Sequence, residues 1–211
     1  MIQATDKDTI RQGVEQFGIA PGAQAMMDLE REAATRAIES GMYIVYRIPS
    51  SSSDCTRVGP RSKCFCGHLF GEHSDRYPGK CRDCACNRFR YVPIRPEEVG
   101  EWWLPRRKEF NILSYKVKCR CGHPTDEHHP VNTTCVRCRC CIFESDFLCV
   151  ICDKHWEEHD TVWEDEYERQ RAGRAVGMAF MPLASTPDIQ RLVFDRAARR
   201  SSRFVKPRIK K

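Results

Sequence analysis

At 211 residues, 41% of them hydrophobic, the chain has room for one domain or two small ones around a modest core. No apolar run approaches the roughly 20 residues of a membrane span, and Met1-Ile-Gln-Ala-Thr-Asp-Lys-Asp8 has no signal-peptide core, so neither membrane insertion nor secretion is expected and a cytoplasmic protein is. The net charge of +6 belongs to the tail: the last 21 residues carry nine Lys/Arg against one Asp, leaving everything before them slightly acidic.

Along the chain, residues 1–50 are predicted to hold N-terminal helices and a strand. Ala23 to Ser40 reads as an amphipathic helix, with Met26, Ala33 and Ala37 sharing a stripe with Met27, Ala34 and Ile38, and with Gly41 suited to its C′ position. Met42 to Ile48 reads as a strand, and Pro49-Ser-Ser-Ser-Ser53 as a loop.

Residues 55–93 form a first cassette: Cys64-Phe-Cys66-Gly-His68, then His73, Cys81, Cys84, Cys86 and Phe89. A linker over 94–118 follows, in which Pro96 to Trp103 is predicted as a short helix and Phe110 to Val117 as a strand, with Trp102 and Trp103 as packing anchors. Residues 119–160 repeat the cassette as Cys119-Arg-Cys121-Gly-His123, then His128, Cys135, Cys138, Cys140 and Phe143. The offset is 55 up to the second histidine and 54 after it, so one loop deletion between His128 and Cys135 accounts for the difference. A third, shorter cluster holds Cys149, Cys152, His155 and His159. Residues 161–211 are predicted as C-terminal helices and a basic tail: Thr161-Val-Trp-Glu164 has a capping-box pattern that would start a helix from Val162 to about Gly173. A second helix is expected from Thr186-Pro187-Asp188, with Ile189, Leu192, Val193 and Ala197 on one face and Arg191, Arg196, Arg199 and Arg200 around it.

The fold class expected is a small, metal-stabilised α+β protein in which metal coordination takes the place of a large apolar interior. All seven histidines lie among the fourteen cysteines, which disulfides do not require and zinc sites use freely. Tetrahedral Zn²⁺ takes four N or S ligands, and Cys-x-Cys or Cys-x-x-Cys lets one tight turn supply two. Each cassette offers seven ligands, one short of two sites; Cys55 for the first, and His129, Cys141 or Cys149 for the second, are the outside candidates, although Cys55 also reads as an ordinary thiol. The third cluster by itself completes one site, for a total of about four or five Zn²⁺ ions. With thirteen thiolates on five ions the net charge falls to about +3.

Catalysis is not expected. His155-Trp-Glu-Glu-His159 lacks the Glu that directly follows the first His of a zincin, and its cysteines lie upstream where a deaminase needs them downstream. No phosphate loop or nucleophile elbow appears. One residue between Cys66 and His68, and two between Cys152 and His155, leave no room for a recognition helix of the finger type.

Asp54-Cys-Thr-Arg-Val-Gly-Pro-Arg-Ser-Lys-Cys-Phe-Cys-Gly-His68, the two cassettes, and Cys152 through His159-Asp-Thr161 with Glu164 together resemble the group called "family with sequence similarity 221". The resemblance covers roughly Cys55 to Ser185 and implies a small cysteine-rich protein without assigned catalytic activity, from a group found largely in organisms with motile cilia or flagella. The function expected is therefore a non-enzymatic zinc-binding adaptor in a larger assembly such as the axoneme, its basic tail facing an acidic partner such as tubulin. The alternatives are a B-box- or RING-like ubiquitin-pathway adaptor, and nucleic-acid binding through the tail.

Overall fold

The computed structural model describes residues 7–19 and 22–194. The basic tail, with Ala197, Arg196, Arg199 and Arg200, lies outside the described residues. Helix α1 (Lys7–Phe17) is followed by α2 (Ala23–Ser40), which turns Met27, Ala33, Ala34 and Ala37 inward and ends at Gly41. Gly41 sits at φ 67°, the left-handed conformation that closes helices at low cost only in glycine.

Five short strands follow: β1 (Met42–Arg47), β2 (Thr56–Arg57), β3 (Lys63–Cys64), β4 (Tyr91–Val92) and β5 (Asp160–Asp165). The antiparallel order is β2-β1-β5, with Met42 opposite Asp165 and Arg47 opposite Asp160; β3 and β4 pair separately. Strand β1 has no wet face after Met42, and its alternating side chains serve two different interiors. Tyr43 and Val45 pack with Ala34, Ala37 and Phe180 under α2, while Ile44 and Tyr46 point into the cysteine-rich half. The loop before β3 lies hard against α2, where a Cβ on Gly59 would stand 2.8 Å from that of Ala33.

The sheet edge is tied by a buried charge cluster. Glu164 accepts two bonds from Arg47 (2.7 and 3.0 Å), one from Arg169 (3.0 Å) and one from Arg174 (2.8 Å), and Asp54 accepts from Arg169 at 2.7 Å. The Arg169 guanidinium also lies over the Tyr43 and Phe180 rings, at 5.2 and 4.9 Å. Buried ions demand this degree of pairing.

The cysteine-rich half has an aromatic interior of its own. Phe65 from the first cassette, Phe143 from the second and Trp156 from the third cluster meet with ring centroids 5.2 to 5.4 Å apart, and Trp156 donates its indole N–H to the Tyr91 carbonyl. Edge-to-face and stacked rings of this kind add to their area burial. The molecule is thus a small mixed helix and strand structure whose cysteines are all free thiols, and no described helix is long and apolar enough to cross a membrane.

Several local expectations are corrected. The capping-box pattern at Thr161 does not start a helix: 160–165 is strand β5, because pairing with β1 claims its backbone, and α3 (Glu166–Arg171) begins after Asp165, whose side chain accepts from the Glu168 amide at 2.7 Å. Phe110 to Val117 is not a strand; it contains a 3₁₀ turn at Ile112–Ser114 capped by Asn111. Pro96–Val99 is a single 3₁₀ turn stopped by Gly100. Trp102 and Trp103 are about half exposed, at 53% and 47%, and meet edge to face at 6.1 Å, with Arg106 over the Trp102 ring. The last described helix, α4 (Pro187–Phe194), starts where Pro187 predicts and buries Ile189.

Candidate metal centres

The Cys-x-Cys-Gly-His segments fold as tight knuckles. In the first, the Gly67 amide bonds the Cys64 carbonyl at 2.9 Å and the Cys64 amide bonds the His68 carbonyl at 2.8 Å; in the second, Gly122 and Cys119 make the same bonds at 2.8 and 2.9 Å. Gly67 and Gly122 stand at φ 93° and 85°, which bends the chain so that both sulfurs of the knuckle face inward. A backbone amide then points at the first sulfur of each: Arg90 N to Cys64 Sγ at 3.3 Å, and Glu144 N to Cys119 Sγ at 3.4 Å.

After each knuckle a 3₁₀ turn, Phe70–Glu72 or Thr125–Glu127, delivers the second histidine. His73 places Nε2 3.5 Å from Cys66 Sγ while its Nδ1 lies 2.7 Å from the Gly79 carbonyl. His128 places Nε2 3.7 Å from Cys121 Sγ, with Nδ1 2.8 Å from the Pro124 carbonyl. A carbonyl at one ring nitrogen fixes the tautomer and frees the other to ligate. His68 and His123 use Nδ1 instead, at 3.6 and 3.5 Å from Cys66 and Cys121.

The donor atoms gather into groups whose members lie within 4.8 Å of one another: Cys66, His68, Cys81 and Cys84; Cys64, Cys66 and His73; Cys121, His123, Cys135 and Cys138; Cys119, Cys121, His128 and Cys140. Cys86 stands beside the second of these, its Sγ 3.9 Å from that of Cys64, as Cys140 stands 3.8 Å from Cys119. These spacings discriminate between chemistries. A disulfide needs sulfurs about 2.05 Å apart, whereas ligands at zinc distances on a tetrahedron are about 3.8 Å apart for two sulfurs and about 3.6 Å for sulfur and nitrogen.

The fifth group, built on the third cluster, is Cys55, Cys149, Cys152 and His159. His159 Nε2 lies 3.1 Å from Cys152 Sγ and 3.6 Å from Cys55 Sγ, and its Nδ1 is 2.7 Å from the His155 carbonyl. The His159 ring stacks on Tyr46 of β1 at 4.5 Å. Cys55, the outlier of the sequence, arrives from the loop between β1 and β2 and supplies the place assigned to His155. His155 stands outside: its Nδ1 faces Ser145 Oγ and the Phe147 carbonyl, and its Nε2 faces Arg120.

The backbone explains why. The Cys149 amide bonds the Lys154 carbonyl at 2.9 Å, so Lys154 occupies the position of His68 and His123. The bridges Lys63 to Leu69, Lys118 to Pro124 and Leu148 to His155 put His155 in register with two non-ligands. Asp153, at φ 56°, replaces the knuckle glycine, and the turn Trp156–Glu158 delivers His159 as its counterparts deliver His73 and His128. The third cluster is a half-copy of the same unit, and the recurring Glu72-His73, Glu127-His128 and Glu158-His159 pairs are the sequence signal of that register. Cys141 is exposed, and His129 Nδ1 accepts backbone N–H groups from Val131 and Asn132.

Proton sharing inside the groups is unequal. A hydrogen bond from Cys64 and another from Cys66 hold Cys86 down at about 2, while the bonds to Cys64 and then Cys86 push Cys66 far above the usual thiol range. Cys149 is held at about 4 chiefly by its bond from Cys55, which is itself pushed up. Close-packed thiols of this kind trade protons readily for a thiophilic cation.

The family model described as Protein FAM221A/B matches residues 23–100 and 107–198. Protein FAM221B of Homo sapiens is 45% identical over 165 residues, covering 74% of this chain and 41% of that protein. Protein FAM221B of Mus musculus is 43% identical over 155 residues, covering 70% and 32%. Protein FAM221A of Xenopus tropicalis is 31% identical over 153 residues, covering 66% and 45%. The chain thus spans less than half the length of these relatives. No solved structure matches.

Proposed function

The chain belongs to the FAM221 family, and from that premise we propose that it is a non-enzymatic adaptor, stapled by about four or five Zn²⁺ ions in tandem cassettes and a third cluster, that docks onto a larger cytoskeletal assembly of the ciliary or flagellar axoneme type. The observation that carries the metal half of this reading is the donor spacing: sulfur–sulfur separations of 3.8 and 3.9 Å and sulfur–nitrogen separations mostly of 3.5 to 3.7 Å are the edges of a tetrahedron around a zinc ion. Thiolate and imidazole donors favour zinc over the oxygen-seeking cations. Each group draws its donors from cysteine and histidine alone, without a carboxylate; four of the five groups supply four ligands, and Cys64, Cys66 and His73 reach four with the neighbouring Cys86, the closed pattern of a structural site.

Two features support the docking half. Trp102, Trp103 and Leu113 expose apolar surface on the linker, with Leu113 89% exposed. The last 21 residues, with eight net positive charges, suit an acidic surface such as that of tubulin. Helix α2 is committed to the sheet, and the linker and the tail are the segments proposed to meet a partner.

The test has two arms. Metal analysis of protein purified under reducing conditions reads the ions per chain, and a metal-free folded protein overturns the zinc reading. Co-sedimentation with salt-washed axonemes reads docking; retention expected of the full chain falls for W102A/W103A, and a chain that stays in the supernatant overturns the axonemal reading.

A further inference from the structure

Each cassette has seven donors where two tetrahedral ions require eight. The outside donors do not make up the difference. Cys55 sits with Cys149, Cys152 and His159; Cys141 is exposed, with its Sγ at the Arg139 carbonyl; His129 and His155 are engaged elsewhere. Within each cassette, however, one sulfur stands in both groups. Cys66 lies with His68, Cys81 and Cys84 on one side and with Cys64 and His73 on the other; Cys121 lies with His123, Cys135 and Cys138 on one side and with Cys119, His128 and Cys140 on the other.

We infer that each cassette holds a pair of Zn²⁺ ions joined by a single bridging thiolate, Cys66 in the first and Cys121 in the second, whereas Cys152 of the half-copy is a terminal ligand of one ion. The inference rests on the zinc reading above and adds the arrangement two, two and one. A thiolate sulfur keeps lone pairs after its first metal bond, so sharing it completes both tetrahedra with seven residues. On loading, the five thiols of a cassette release five protons to solvent, and five thiolates on two dications leave one negative charge. Arg90, stacked over Phe65 at 4.8 Å, stands near that charge in the first cassette, within reach of Cys86, Cys64 and Cys66. The half-copy shows what sharing requires. Lys154 stands where His68 and His123 stand, so the second set of donors is missing and Cys152 has one ion to serve.

The bridge predicts unequal losses from equivalent-looking cysteines. Native mass spectrometry of the full, zinc-loaded chain is expected to count five ions. Cys84→Ser or Cys138→Ser, at terminal ligands, removes one; Cys66→Ser or Cys121→Ser removes two. Because a bridging variant can fail to fold, the wild-type chain loaded with ¹¹³Cd gives the second readout. Two pairs of mutually coupled cadmium resonances and one uncoupled resonance are expected, since scalar coupling passes through a shared sulfur. Five uncoupled resonances, or three ions per chain, overturn the bridge while leaving the zinc reading intact. A chain without metal overturns both.

Discussion

At the residue scale, the fate of each histidine follows from what its second ring nitrogen meets. His73, His128 and His159 each rest one nitrogen on a backbone carbonyl and turn the other to sulfur, whereas His155 turns its free nitrogen to Arg120. His159→Ala is therefore expected to lose one metal ion per chain and His155→Ala none, read by metal analysis of the purified variants. Arg169 is the other residue with a sharp expectation. Its side chain is 1% exposed and holds both Glu164 and Asp54. Arg169→Ala leaves those carboxylates short of a partner at a buried site, and a loss of about 3–5 kcal/mol in denaturant unfolding is expected.

At the element scale, what was readable in advance divides by range. The α2 helix with its Gly41 stop, strand β1, and both knuckles are local patterns, and each stands where its residues place it. The role of Cys55 was not readable, because it depends on β1 and β5 lying side by side, and nothing near residue 55 encodes that pairing. Thr161-Val-Trp-Glu164 carries β-branched and aromatic residues that suit a strand as well as a helix start, and the six-residue register with β1 decides between them. The tryptophan pair misled for the opposite reason: large aromatics suggest a core, but their linker folds as 3₁₀ turns on the surface. Cys55→Ser is expected to lose one ion and to loosen the sheet from the cassettes, while Cys141→Ser changes neither; the paired comparison by metal count and thermal melting checks it. Phe65, fully buried where the three knuckle units meet, gives the packing counterpart. Phe65→Ala should cost about 3–5 kcal/mol without removing a donor atom.

At the scale of the whole molecule, two interiors are joined through one strand. The core under α2 is aliphatic and aromatic; the other combines aromatic and aliphatic side chains with buried cysteines of the groups that could hold metal. Stripping metal under reducing conditions should therefore unravel 55–160 first, while amides of α2 hold their protection longest, as hydrogen exchange in the presence and absence of chelator would read. Acidification works in the same direction, since protons compete with zinc for the thiolates and the bound state is favoured as pH rises.

Cys55 and His159 are 104 positions apart, and β5, the partner of β1, begins at the next residue. During synthesis Cys55 and both cassettes, which end at Phe89 and Phe143, emerge before His159 and β5. The nascent chain therefore carries both cassettes beside a hydrophobic strand, paired with β2 on one edge only, that waits for residues 159–165 to emerge. That interval exposes an open sheet edge, and any truncation upstream of His159 would make the exposure permanent.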